Sequence, residues 1–385
     1  MFILEDPYVS DLLRNTIEEQ GYCVLWNKMA AEQNFSDNVP ICDDLQLIQA
    51  FHEKQTLYSN SENSIGWIIQ HLPSTNLPKQ IEIFKNKVLF RKILNQLYPG
   101  FYFRELRQEE LEVFDISGLK KPFVLKPSYG FLSIGVYTIN SNPDWLKAIE
   151  EIKGRRLKTD KVFPEEVLST EKYILEEYIP GKEYANDVYY DRNGKPVVIN
   201  ILEHVFSSAS DVSDRLYITS KEIILDNLDR ITRFLETIGS HVPLRNFPVH
   251  LEVRIHEDNM VPVEVNPMRF AGWCTTDIVH YAFGINPYVF FMNQQQPDWL
   301  DILKGKADKI YSIIVLGKPD ENPKSECIGF DYENLLSRFE KVIEFRKIDF
   351  RKYPLFGFLF TETDKNNFQE LDRILTDNLR EYIVS

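Results

Sequence analysis

The sequence predicts a mixed α/β and α+β chain in three units, and three observations carry that reading. Residues 1–86 open as strand, helix, strand; residues 87–300 change to hairpins; residues 301–385 alternate strands and helices again. A chain of 385 residues is long enough for two or three such units, each with its own core.

In the first unit Phe2-Ile3-Leu4 is a short apolar run. Ser10 is placed to cap a helix carrying Leu12, Leu13, Thr16 and Ile17 on one face, with Gly21 at its end. Cys23-Val24-Leu25-Trp26 resumes an apolar strand, and a βαβ opening implies a parallel sheet with a helix on its face. No GxGxxG follows the first strand, which speaks against a dinucleotide fingerprint. In the middle unit Pro122-Phe123-Val124-Leu125-Lys126 is a strand and Val136-Tyr137-Thr138-Ile139 its return. A strand from Tyr173 to Ile179 ends in the turn Pro180-Gly181, and Asp191-Arg192-Asn193-Gly194 marks a hairpin between Val188-Tyr189-Tyr190 and a strand from Val197 to Leu202. Ile223, Ile224, Leu228, Ile231, Phe234, Leu235 and Ile238 recur at helical spacing, predicting a helix over 220–238. The last unit reads as a strand from Ser312 to Leu316, a helix over 331–341, a strand from Leu355 to Phe360 and a helix over 367–382.

Composition narrows the function. The 44 Lys and Arg against 58 Asp and Glu leave a net charge of −14, which argues against a nucleic-acid partner, because such binding begins with phosphate neutralisation. A hydrophobic share of 43% excludes wholesale disorder. No apolar run reaches the roughly 18 residues of a membrane span. Met1-Phe2-Ile3-Leu4-Glu5-Asp6-Pro7 lacks the basic and apolar regions of a signal peptide. Cys23, Cys42, Cys274 and Cys327 are widely spaced with no CxxC, so the expectation is reduced thiols in a cytoplasmic protein.

The most informative stretch runs from His250 to Asn266. Val249, Leu251, Val253 and Ile255 point one way; His250, Glu252, Arg254 and His256 point the other. After Glu257-Asp258-Asn259, Val261, Val263 and Val265 share the apolar face and Glu264 and Asn266 the polar one. A three-residue turn centred on Asp258 sets Glu252 directly opposite Glu264. Like charges so placed repel by about 3 kcal/mol at roughly 5 Å and an effective dielectric of about 20. A protonated carboxyl, Arg254, or a divalent cation between the two could offset that; an ordinary surface hairpin could also leave both in water. Asn266 beside Glu264 suits Mg²⁺, which takes a few protein oxygens and completes its shell with substrate phosphates. His250 and His256 lack a compact third ligand for zinc.

Two further stretches suit a nucleotide. Lys126 ends a strand before Pro127-Ser128-Tyr129-Gly130-Phe131-Leu132-Ser133-Ile134-Gly135, a loop whose N–H groups could fold over phosphate oxygens. It is not a Walker A loop, because the Lys precedes the loop and a strand follows. The stretch from Tyr173 to Glu183 could line an adenine slot, with Glu183 on the ribose hydroxyls. Alone, each reads equally well as an ordinary hairpin loop or strand end.

Taken in order, these motifs resemble the ATP-grasp superfamily over roughly residues 87–290. The resemblance implies an ATP-grasp architecture: an N-terminal βαβ pre-grasp domain at 1–86, a two-lobed ATP-grasp region at 87–300 and a C-terminal α+β domain at 301–385. It implies ATP with Mg²⁺ (or Mn²⁺), the metal at Glu252, Glu264 and Asn266. Lys87, and Lys126 with Ser128, Gly130 and Ser133, would meet the phosphates. Glu176, Glu177 and Ile179 would line the adenine, the backbone of Glu177 and Ile179 contacting the base, and Glu183 would take the ribose. Lys126 and Arg269 would act in the catalytic step, Arg269 beside the transferred phosphoryl group or the tetrahedral intermediate. The sequence departs from the family at Glu177, where many members carry Lys, at bulky Tyr129 and Phe131, and at Pro267-Met268 before Arg269.

The implied activity is an ATP-dependent ligase that activates a carboxylate as an acyl phosphate for attack by an amine. Its substrates would be a small-molecule or peptide carboxylate and an amine, with neither nucleic acid nor membrane as partner. A phosphotransferase acting on a hydroxyl and a non-catalytic ATP-binding protein remain as alternatives. The sequence has no GxSxG and no HExxH, in keeping with a reaction that needs no protein nucleophile. The stretch from Phe270 to Asp277 could line a pocket for an amino acid or peptide carboxylate, or lead into a helix near 276–283. The segment from Ser207 to Thr219, with Asp211, Asp214 and Arg215, carries no local pattern that assigns a role.

Overall fold

A computed structural model describes residues 1–129, 135–155, 169–208, 211, 213–319 and 327–384. Strands β1 (Phe2–Ile3), β2 (Val24–Leu25), β3 (Ile41–Cys42) and β4 (Tyr58–Ser59) form a parallel sheet in the order β3-β2-β1-β4. The helix Asp11–Gln20 starts where the Ser10 hydroxyl accepts from the Leu13 N–H. It ends at Gly21, whose φ of 62° is the left-handed conformation glycine adopts without strain. Cys23 and Cys42 meet across neighbouring parallel strands as a disulfide, with Cα atoms 6.5 Å apart. This corrects the expectation of four reduced thiols. The contact is made by strand pairing over a separation of 19 residues, which a search for CxxC spacing does not see. Cys274 is a buried free thiol and Cys327 a half-buried one.

Strands β5 (Phe103–Arg107), β6 (Phe123–Tyr129), β7 (Tyr137–Ile139) and β8 (Ser169–Glu177) form a small antiparallel sheet in the order β5-β8-β6-β7. Trp145, Ala148, Ile149 and Ile152 of the helix Asn142–Arg155 pack on Phe123, Leu125 and Tyr173 of that sheet. The larger sheet collects β9 (Lys182–Tyr190), β10 (Pro196–Val205), β11 (Leu216–Ser220), β12 (Phe247–His256), β13 (Asn259–Pro267) and β14 (Lys309–Gly317). Beyond the short β15 (Gly329–Phe330), it also takes in β16 (Val342–Lys347) and β17 (Leu355–Asp364). Its eight strands run antiparallel in the order β13-β12-β9-β10-β11-β14-β17-β16, while β15 pairs with β18 (Ile383–Val384). The hairpin from His250 to Asn266 and the C-terminal strands therefore belong to one continuous sheet.

The helix Lys221–His241 is capped by Ser220 and packs Ile224, Ile231, Phe234, Leu235 and Ile238 into the core. The C-terminal helices are shorter than their sequence pattern suggested, Tyr332–Leu336 and Gln369–Thr376. The second ends where the Asp377 carboxylate takes the Leu379 N–H and Leu379 turns to a φ of 60°. One apolar cluster joins Phe2, Leu13 and Phe84 of the N-terminal region to Val188, Phe247 and Leu251 of the large sheet. The opposite face of that sheet, with the β5–β8 sheet above it, borders a cleft of about 370 Å³. No helix among the described residues is long and apolar enough to cross a membrane.

Candidate active site

Glu252 on β12 pairs directly with Glu264 on β13, and His250 with Asn266. The route to this register differs from the expected three-residue turn. His256 pairs with Asn259, leaving Glu257 and Asp258 as a two-residue turn in which Glu257 takes a φ of 54°. A β-bulge at Val263 then adds back the missing residue and restores the carboxylate pairing. The bulge also corrects the assignment of Val263 to the apolar face: Val263 lines the cleft, while Met260 and Val265 enter the core. The two carbonyls at the bulge point to cations. Arg91 Nη1 donates to Pro262 at 2.7 Å and Lys126 Nζ to Val263 at 3.4 Å.

The two glutamates carry different electrostatic loads. Burial alone would raise Glu264, but Lys87, Lys126 and Lys85 hold it at about 2, with Lys87 Nζ 3.1 Å away. Glu252 is pushed up, first by burial and then by the charge of Glu264. His250 Nε2 lies 3.6 Å from Glu252, and its Nδ1 bonds Asp187 at 2.8 Å. Burial opposes protonation of His250, but Asp187 and Glu252 lift it to about 9. Arg254, a candidate for neutralising the pair, turns to Glu183 instead. Among the described residues no three His, Cys, Asp or Glu side chains gather as a metal cluster. The set here is two carboxylates and the Asn266 amide, which donates to Glu264 at 3.2 Å. Such a sparse, hard-oxygen set fits Mg²⁺ and is unsuited to zinc; His256 is exposed at the end of β12, beside the turn and away from the carboxylate pair.

Lys87 opens the helix Lys87–Leu94, where the Asn86 side chain accepts from the Val88 and Leu89 N–H groups. Arg91 follows one turn later. Arg91 Nε at 2.7 Å and Lys126 Nζ at 2.6 Å grip the two oxygens of Glu176, which they hold at about 2 against its burial. Glu176 therefore reaches the cleft wall, but its carboxylate belongs to this buried cluster rather than to a base. Ser128 is fully buried, and its hydroxyl has no partner among the described atoms. Gly130 and Ser133 lie outside the described residues.

At the other end of the cleft, Gly181 turns the chain from β8 to β9 with a φ of 106°, where an added Cβ would strike the Ile255 carbonyl. This close approach brings Ile179 and Glu183 against β12. Arg254 donates to the Ile179 carbonyl at 3.0 Å and to Glu183 at 2.9 Å; His204 Nδ1 is 3.0 Å from the other Glu183 oxygen. His204 lies between the rings of Phe206 and Tyr217, with centroids 4.0 and 4.2 Å away. The Glu177 N–H donates to the Tyr102 carbonyl at 3.0 Å, so that group is engaged within the protein rather than free for a base.

Arg269 leaves β13 through Met268, whose φ is 67° and whose carbonyl accepts from the Ser59 N–H on β4 at 3.0 Å. The guanidinium donates to Glu62 at 2.8 and 3.2 Å and to the Phe270 carbonyl at 2.9 Å, while Lys85 closes on the second Glu62 oxygen.

Lys87, Lys126, Glu176, Glu177, Ile179, Glu183, Glu252, Glu264, Asn266 and Arg269 thus all line one cleft. Sequence reasoning missed Glu62, Lys85, Arg91, Asp187 and His204. Two signals were available: Lys87 and Arg91 stand four residues apart, hence on one face of a predominantly apolar helix, and Asp187 is a lone acid preceding Val188-Tyr189-Tyr190.

Residues 119–277 match the family profile described as the ATP-grasp domain. Among solved structures, the L-amino acid ligase from Bacillus licheniformis superposes with a TM-score of 0.66 at 18% identity, over 100% of this chain and 98% of that one. N5-carboxyaminoimidazole ribonucleotide synthetase from Thermotoga maritima gives 0.60 at 15% identity, over 97% and 96%. The biotin carboxylase domain of 2-oxoglutarate carboxylase from Hydrogenobacter thermophilus, solved with MgADP, gives 0.59 at 10% identity, over 94% and 85%. None of the curated proteins matches the sequence. The chain carries an ATP-grasp domain, within an ATP-grasp fold that runs its whole length. The family is made up mostly of ATP-dependent carboxylate–amine ligases.

Proposed function

We propose that this chain is an ATP- and Mg²⁺-dependent ligase that activates a carboxylate as an acyl phosphate for attack by an amine. The observation that carries the reading is the Glu252–Glu264 pair, placed face to face in a cleft that also gathers Lys87, Lys126 and Arg269. Glu252, Glu264 and Asn266 would hold Mg²⁺, which when bound neutralises phosphate charge. Lys126, oriented by Glu176 and the Val263 carbonyl, presents a fixed ammonium to the γ-phosphoryl oxygens. Lys87 would move from Glu264 to those oxygens as ATP enters. A substrate carboxylate oxygen attacks the γ-phosphorus and ADP leaves; the amine nitrogen then attacks the acyl carbon, and phosphate leaves. Arg269, braced by Glu62, would stabilise the oxyanion of that second step. Glu183, with Arg254 and His204, would receive the ribose.

Incubation with ATP, Mg²⁺, candidate acids and hydroxylamine tests this reading. A ligase yields hydroxamate with ADP and phosphate in equal amounts. Formation of a stable phosphoester instead would make the chain a kinase, and absence of both products would leave only nucleotide binding.

A further inference from the structure

The face of the large sheet under the cleft changes character along a single cross-strand row, of which Arg254, Glu183, His204 and Tyr217 line the cleft. Arg254, Glu183, His204, Tyr217, Ile313 and Phe360 stand opposite one another across β12, β9, β10, β11, β14 and β17. The row is charged up to His204 and apolar beyond Tyr217. In the next row Val315 pairs with Phe358, and both line the cleft together with Leu355 and Trp273. Trp273 lies 5.5 Å from the Phe358 ring and 5.3 Å from that of Tyr353, centroid to centroid. The charges behind this wall are closed off: Arg346 bonds Asp277 at 2.6 Å with both side chains buried, so neither is offered to a ligand. Arg269 stands at the junction, and the short segment from Arg269 to Trp273 leads from the polar half of the cleft to the apolar half.

We propose that the acid activated in this cleft carries an uncharged apolar side chain, aliphatic or aromatic, which lies on the wall formed by Tyr217, Val315, Leu355, Phe358 and Trp273. This rests on the ligase reading above. A carboxylate placed beside Arg269 and the glutamate pair has its substituent directed to β14 and β17. There a polar group would lose water beside side chains that are mostly apolar, the Tyr217 hydroxyl being already given to Asp214 at 2.9 Å, whereas an apolar one replaces water without leaving a donor or acceptor unpaired. The C-terminal strands thereby select the acid without touching the nucleotide.

The test compares leucine with asparagine, and phenylalanine with glutamate and lysine, as probe acids in ATP- and hydroxylamine-dependent ADP release. Leucine and phenylalanine are expected to exceed the others by about tenfold or more in kcat/KM, the discrimination an apolar pocket achieves. Val315 is half-buried, so substitutions there can be accommodated. Val315→Phe should depress phenylalanine and leucine far more than alanine, and Val315→Lys should raise glutamate relative to leucine. Melting temperature and binding of a fluorescent ATP analogue report whether each variant keeps its fold and nucleotide end. If asparagine or glutamate serves the native chain as well as leucine does, or if neither Val315 variant changes the ranking, the proposal is wrong and the ligase reading stands. If no acid stimulates ADP release, both fall.

Discussion

Glu252 and Glu264 are the same residue type in one β-bridge, yet one is pushed up and the other held at about 2. The difference is the company each keeps: lysines crowd Glu264, while Glu252 faces its twin and a histidine. Replacing Glu264 by Gln removes one of the two carboxylates proposed to hold Mg²⁺ and leaves a group of equal size. Turnover should fall by about 10²–10³-fold while the protein still folds, as near-native circular dichroism would show. Glu183 and His204 make a second residue-scale prediction. Burial works against both charges, but the bonds between them, with Arg254, hold Glu183 below its ordinary 4.5 and His204 above its ordinary 6.5. A depressed carboxylate contributes stability above 4.5 that is lost as pH falls through its folded value. A raised imidazole contributes below 6.5, and that is lost as pH rises through its folded value. The pair therefore stabilises most between 4.5 and 6.5. His204→Gln should cost about 1–3 kcal/mol in that window and markedly less at alkaline pH, as read from melting curves of both proteins.

At the scale of elements, the β12–β13 hairpin shows what was legible. Strict alternation from His250 to His256 placed Glu252 and Glu264 on one face, because side-chain period in a strand is local information. The turn was misjudged by one residue and the bulge at Val263 was not foreseen; the two differences offset each other at the carboxylates but not at Val263 itself. A bulge follows from what the partner strand and neighbouring cations demand, here Arg91 and Lys126, which lie far away in sequence. The same holds for Glu62 with Arg269, separated by 207 positions. The Gly181 turn was visible as Pro180-Gly181, and its tight fit on Ile255 was not. Gly181→Ala should destabilise the protein by about 2–4 kcal/mol, summing steric overlap and an unfavourable φ. It should also weaken binding of an ATP analogue, because Ile179 and Glu183 flank the turn; equilibrium unfolding and a titration measure the two effects.

On the scale of the whole molecule, the Asp277–Arg346 pair joins the loop after β13 to β16 near the far edge of the sheet. Burial raises the Asp277 carboxyl even with the guanidinium beside it, so the pair serves alignment more than net stability. Arg346→Met should cost about 3–5 kcal/mol by stranding the carboxylate, and the double variant with Asp277→Asn should recover much of it in denaturant unfolding. The eight strands also set a limit on dissection. A shortened polypeptide stopping near residue 300 would strip β14, β16 and β17 from β11. Leu216–Ser220 would then present bare amides and carbonyls to solvent, an invitation to intermolecular pairing. Such a fragment would retain every acid and lysine of the phosphate end and still precipitate before it could be assayed.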